Sequence, residues 1–204
     1  MKRKQLEKAV IVLGLGVLLT GCGTVAKESQ EVKHSEKIEK KKDPIKAKDD
    51  SSTKTTVEAS EEVIETENGT FSVKLPDGWE EIEPTDLNDE ADIGLENEEK
   101  SLYLAVLSES EEDYDGFDGY KEAIEFSLDV VEETEKPIDL NGWKGTRRFI
   151  TAKVDGMKAY YVYDVVASDA GHYAQRMAWT MNSKKDKYGK ELESVLDSIK
   201  DVTK

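Results

Sequence analysis

Cys22 carries the only thiol in the 204-residue chain and closes the run Leu19-Thr20-Gly21-Cys22 at the end of an apolar stretch. A thiol is the natural acceptor for covalent modification, and the small residues Thr20 and Gly21 let a peptidase approach the backbone just ahead of it. A second set of residues has the spacing of a metal loop. Glu111, Asp113, Asp115, Gly116 and Glu122 stand at positions 1, 3, 5, 6 and 12 of a stretch, where a calcium loop places oxygen ligands, a turning glycine and a bidentate glutamate. Position 1 is Glu rather than Asp, Asp118 falls where an apolar side chain normally packs, and the run ahead reads as a strand. The competing reading is an exposed acidic loop whose Asp118 caps a following helix. Other chemistry has few carriers. Beyond residue 62 there is one histidine, His172, no cysteine, and no serine in a G-x-S-x-G or S-x-x-K setting, so a nucleophile–base pair lacks candidates. A hydrolase built on paired carboxylates stays open because acids abound, but no spacing singles out two of them. No glycine-rich phosphate loop and no zinc spacing occur.

The residues ahead of Cys22 follow the grammar of an export signal: a basic start (Lys2, Arg3, Lys4, Lys8), an apolar run over residues 9–19, then small residues. That run is about half the roughly 20 residues a membrane-spanning helix needs. Together, Leu19-Thr20-Gly21-Cys22 resembles the lipobox of bacterial lipoproteins. The resemblance implies removal of residues 1–21 and attachment of a diacylglyceryl group at Cys22. One acyl chain binds a membrane marginally, at about 0.8 kcal/mol per buried CH₂, whereas two anchor stably. A lipid-anchored protein on the outer face of the cell membrane is expected, with no internal disulfide because acylation consumes the one thiol.

Residues 22–62 read as the acylated cysteine and a tether. From Gly23 to Glu62 there are nine lysines and ten acids with few large apolar residues, a mixed polyampholyte that cannot bury enough surface to fold. His34 lies within it and reads as solvated. A coil of this length has an end-to-end distance of about 35 Å, which suits a domain held off the membrane into the wall of a Gram-positive cell.

Residues 63–204 are long enough to form one domain with its own core. The alternation Phe71-Ser72-Val73-Lys74-Leu75 predicts a half-buried strand stopped by Pro76-Asp77-Gly78, and runs over 91–96 and 101–107 predict a hairpin. Apolar residues at Tyr120, Ile124, Leu128 and Val131 predict a helix after Asp118 that stops before Pro137. Asn141-Gly142, Asp155-Gly156 and Asp169–Gly171 are turn signals between apolar runs, predicting an antiparallel meander over 143–154, 157–167 and 172–182. A closing helix over 187–200 presents Tyr188, Leu192, Val195, Leu196 and Ile199 as one stripe. The class is α+β: an antiparallel sheet with two packed helices.

Charge is segregated. Residues 77–135 carry a net −21 and residues 136–204 a net +4. The acidic half repels phosphate backbones, which excludes nucleic acid, and suits a divalent cation or a cationic protein or small-ligand partner; it equally suits a solvated surface. The element order, with Phe71–Trp79 near the start, Asn141-Gly142 opening the meander and Leu196–Lys200 at the end, resembles the PsbP-like family, which includes the photosystem II extrinsic subunit, the Mog-type Ran-binding protein and many bacterial lipoproteins. The resemblance implies an α/β/α sandwich acting as a non-enzymatic binding or accessory module, with no catalytic residue to carry over. The alternative kept beside it is the carboxylate-based surface hydrolase.

Overall fold

The computed structural model describes residues 60–204 and the backbone of Val10–Ile11. The expected signal segment and tether, with Leu19, Thr20, Gly21 and Cys22, lie outside the described residues but for that pair and Ser60–Glu62. In chain order the elements are β1 (Val10–Ile11), β2 (Ser60–Glu65), β3 (Thr70–Leu75), β4 (Glu80–Ile82), β5 (Ile93–Asn97), β6 (Leu102–Ser110), α1 (Gly116–Ala123), β7 (Glu125–Phe126), β8 (Asp129–Leu140), β9 (Trp143–Val154), β10 (Met157–Ser168), β11 (His172–Met181), α2 (Lys185–Ser198) and β12 (Lys200–Asp201). The architecture is α+β, as the sequence pattern predicts.

The meander forms because its turns can. Asn141 and Gly142 have φ of 55° and 83°, and Asp155 and Gly156 have 50° and 81°. Two successive positive φ angles are what a tight hairpin between right-twisted strands requires. The resulting seven-stranded antiparallel sheet has the order β4-β5-β6-β11-β10-β9-β8, and a three-stranded sheet has the order β12-β3-β2.

Strand alternation gives the large sheet two apolar faces. Tyr160, Val162 and Val166 of β10 join Leu102, Leu104, Val106, Trp143, Ala174 and Ala178 in one cluster. Leu192, Val195, Leu196 and Ile199 of the α2 stripe complete it with Phe71, Val73 and Leu75 of β3. Trp143 Nε1 donates to the Ile199 carbonyl at 3.1 Å, pinning the end of α2 to the sheet. The odd-numbered residues of β10 form the second cluster, with Ala105, Leu107, Ile150, Ala152, Met177 and Trp179.

Three expectations are corrected. The first helix ends at Ala123 instead of running to Pro137: Ile124 is already extended (φ −69°, ψ 121°), and 129–140 is strand β8, paired along β9 with a register shift between Val130 and Glu132. The period of Tyr120, Ile124, Leu128 and Val131 is helical, but Val130, Val131 and Thr134 favour strands and the neighbouring β9 offers a complete ladder, so tertiary pairing overrides the period. Pro137 is tolerated because β8 is an edge strand. Asp118 is therefore not the helix cap. It lies inside the first turn of α1 and pairs with Lys121 at 2.7 Å. The folded region also opens earlier than residue 63, because Ser60–Glu62 pair with Val73–Leu75 of β3. Among the described residues no helix is long and apolar enough to cross a membrane.

Candidate functional site

The second face of the sheet carries a continuous aromatic row. Register places Tyr103, Trp179, Tyr161 and Ile150 directly opposite one another across β6, β11, β10 and β9. Tyr103 and Trp179 stack with ring centroids 5.7 Å apart, and Tyr161 lies 6.3 Å from Trp179. Small residues border the row: Ala105 on one side, Ala152 and Ala159 on the other. Residues outside the sheet packed on this cluster are Leu87, Ala91, Phe126 and Leu128. Phe126 sits 5.2 Å from the Tyr163 ring, under the guanidinium of Arg148 at 4.4 Å. Tyr163 Oη donates to Gln175 Oε1 at 2.6 Å. Tyr161 is different: it is 1% exposed and its hydroxyl has no hydrogen-bond partner, and burial pushes that phenol up to about 12. A buried, unpaired hydroxyl costs roughly 1–3 kcal/mol, and Gln175 Nε2, in phase with Met177 and Trp179 on β11, is likewise buried without a partner.

Phe126 of β7 packs against this cluster, and β1 pairs with β7 in parallel, Val10 opposite Glu125 and Ile11 opposite Phe126. At the other end of the same face, α1 brings Phe117 and Tyr120 against Tyr173, with centroids 5.4 and 5.1 Å away.

The four acids of the expected calcium loop are not gathered. Glu111 and Asp113 are wound into a single 3₁₀ turn, whose start is capped by Ser110 Oγ accepting from the Glu112 amide at 3.3 Å. Gly116 (φ 78°) begins α1 directly, and Glu122 lies on that helix. The second half of the twelve-residue stretch is therefore helix where a calcium loop stays open. No group of three or more acidic, histidine or cysteine side chains able to hold a metal occurs among the described residues. In a thermal melt at matched ionic strength, calcium, magnesium and sodium salts should give the same small shift, as screening predicts. A calcium-specific shift abolished by Glu122→Gln would reverse this.

His172 occupies the start of β11, and a serine and an aspartate lie close to it. Its Nδ1 is 2.7 Å from Asp201 Oδ2, and Ser168 Oγ donates to the same oxygen at 2.6 Å. The serine proton is thus committed to the carboxylate, with no hydrogen bond to the imidazole. A Cβ at Gly69 would lie 3.3 Å from His172 Nε2, so the second ring nitrogen faces packed backbone. The group clamps β12 to the turn before β11; it does not activate a nucleophile.

Its acid has a readable consequence. Burial raises Asp201, yet hydrogen bonds from Ser168, Thr203 and His172 outweigh it and hold the carboxyl below its ordinary value. Asp92 and Glu109 are shifted the other way, chiefly by burial. Groups raised in the folded state cost stability while ionised, so stability should rise on acidification from neutrality toward the usual carboxylate range. A lowered group contributes stability above its unfolded value of about 3.9, lost as pH falls through its folded value. The melting profile should therefore pass through a maximum and fall below about pH 4, and Asp201→Asn should flatten that acid limb. An acid limb unchanged by Asp201→Asn would sink the assignment.

No protein-family model and no curated protein matches the chain. Solved structures with a similar chain arrangement include the following two. One is LpqN, involved in cell envelope biogenesis of Mycobacterium tuberculosis, 9% identical, TM-score 0.47, covering 69% of this chain and 90% of that one. The other is the solution structure of cyanobacterial PsbP (CyanoP) from Synechocystis sp. PCC 6803, 11% identical, TM-score 0.46, covering 72% and 95%. These are likenesses of chain arrangement and assign no residue a role.

Sequence reasoning missed this aromatic face. Its signal was present in Tyr161, Tyr163 and Trp179, but the residues look like ordinary core until register aligns them.

Proposed function

We propose that this protein is a cell-surface lipoprotein: residues 1–21 are removed, a diacylglyceryl group on Cys22 holds it to the outer face of the membrane, and the folded domain acts as a non-enzymatic binding module. The observation that carries the reading is Leu19-Thr20-Gly21-Cys22 behind a short apolar run with a basic start. The non-enzymatic part is supported by His172 and Ser168, whose Nδ1 and Oγ both bond to Asp201 Oδ2. The segment 22–59, ahead of strand β2, serves as a spacer, and its reach of about 35 Å suits a Gram-positive wall zone. The acidic half, net −21 over residues 77–135, favours a partner with basic residues.

Metabolic labelling with palmitate tests the anchor. The parent protein should carry label and fractionate with membranes, whereas Cys22→Ser should be unlabelled and either unprocessed or released. Label persisting on Cys22→Ser would overturn the reading.

A further inference from the structure

The seven-stranded sheet ends on two unlike edges. β4 at one side spans 3 residues, whereas β8 at the other spans 12, and every residue of β8 except Ile138 is exposed. Among the described residues no strand pairs with its outer side. Register decides which backbone groups are open there. The two-residue turn at Asn141-Gly142 makes Leu140–Trp143 a hydrogen-bonded pair, and such pairs alternate along an antiparallel ladder. Glu132, Thr134, Lys136 and Ile138 therefore bond to β9, and the main-chain groups of Glu133, Glu135, Pro137 and Asp139 point outward. Pro137, which lacks an amide hydrogen, falls on an outward position and takes no bond from the sheet. It does interrupt the open side, so the usable ladder lies ahead of it, at Glu133 and Glu135. We propose that residues 132–136 capture a lysine- or arginine-bearing extended segment of another protein as an added antiparallel strand. The inference deepens the binding-module reading and rests on it, though not on the lipid anchor.

Charge selects the occupant. β8 carries five acids, Asp129, Glu132, Glu133, Glu135 and Asp139, against Lys136, a net −4. Glu133 is paired with Arg148, and Lys136 with Glu193 of α2. Two copies set edge to edge would oppose −4 with −4, and like charges directly opposite destabilise a ladder. The same acids that repel a second copy attract a basic strand. Side chains of an added strand fall on the two faces of the sheet in turn. One face presents Glu133 and Glu135. The other presents Glu132 beside a groove of about 370 Å³, lined by Glu132, Glu133 and Thr134 of β8, Phe149 and Thr151 of β9, and Lys185 of α2. Lys185 lies over the Tyr160 ring at 4.7 Å, and half-buried Phe149 offers an apolar surface. Basic and apolar residues in alternation match these two faces, and strand addition to a free edge is a general mode of peptide capture.

The test measures fluorescence anisotropy of a labelled peptide of alternating lysine and valine, beginning and ending in lysine, with the full chain as purified from the cells that process it. Saturable binding is expected. A block isomer, all lysines followed by all valines, has the same charge and should bind at least about tenfold more weakly, because it cannot serve both faces. Backbone N-methylation separates strand addition from charge alone. Residues directly opposite in an antiparallel pair share a face and, at the open positions, exchange both hydrogen bonds, which sets lysines against Glu133 and Glu135. Methyl groups on the lysine amides should weaken binding at least about tenfold, whereas methyl groups on the valine amides, which point away from β8, should change it less than about twofold. Glu135→Lys should weaken binding about tenfold, and Glu81→Lys, the same charge change on the exposed edge strand β4, should do far less. Equal affinity for the two isomers, equal loss from the two methylation patterns, equal loss from the two substitutions, or absence of saturable binding would overturn the proposal. A concentration-dependent dimer that the peptide dissociates would give the edge to a second copy and overturn it too. Saturable binding untouched by both Glu135→Lys and lysine methylation would place the peptide elsewhere, ending the edge site while leaving the binding-module reading standing.

Discussion

Asp164→Ala should destabilise the protein by about 3–5 kcal/mol, the usual cost of stripping a partner from buried charge. Asp164 is fully buried in mid-strand β10, and register puts Arg147 of β9 and Arg176 of β11 directly opposite it. Its two oxygens accept from Arg147 Nε at 2.7 Å and Nη2 at 2.8 Å, and from Arg176 Nη2 at 2.6 Å. Arg147 also reaches Asp197 of α2 at 2.8 Å, and Arg176 lies 5.0 Å from the Trp143 ring. Burial alone would lower Arg147, but these carboxylates hold it above its ordinary value; Arg176, fully desolvated, is shifted down. Asp164 is thus the shared counter-charge of two guanidiniums that cannot neutralise by losing a proton. An unfolding free energy from urea titration within about 1 kcal/mol of the parent would refute the assignment. Replacing the trio together, with Arg147→Met, Asp164→Leu and Arg176→Met, should cost far less than Asp164→Ala alone, since an apolar trio leaves no charge stranded.

Gly145→Ala should cost about 3 kcal/mol, at the upper end for overpacking. A Cβ at Gly145 would lie 2.1 Å from the Val165 carbonyl oxygen and 2.9 Å from Val166 Cα. Both obstacles are main chain of the paired strand, so relief requires parting β9 from β10 within the sheet. Gly119→Ala is the internal control. Its nearest neighbour would be Asp115 Cβ at 3.6 Å and it lies within α1, where alanine gains about 0.5–1 kcal/mol over glycine. The same methyl should therefore have opposite signs at the two sites under denaturation. Equal effects would refute the close approach of β9 and β10.

The legible parts of the fold are those whose cause is local. Asn141-Gly142 and Asp155-Gly156 announce their turns because the positive φ they need is a property of those residues. The α2 stripe is legible because Leu192, Val195 and Leu196 repeat at helical spacing and the helix packs one face only. The calcium spacing was legible in the same way, but spacing alone does not say that the stretch from Gly116 to Ala123 is helix.

What the sequence by itself determined is the antiparallel meander, the closing helix, the segregation of charge and the expectation of an anchor at Cys22, all of which follow from short-range propensity, periodicity or spacing. Tertiary structure decided the rest. Residues 129–140 became a strand because β9 supplied a partner ladder that outweighed a helical period, and Ser60–Glu62 joined the fold because β3 had a free edge to take them. The Arg147–Asp164–Arg176 trio and the Tyr103–Trp179–Tyr161–Ile150 row exist only through register. Each residue is separated from its partners by at least 11 positions, so neither is encoded in any local window. A one-residue slip would turn every member of both to the opposite face of the sheet.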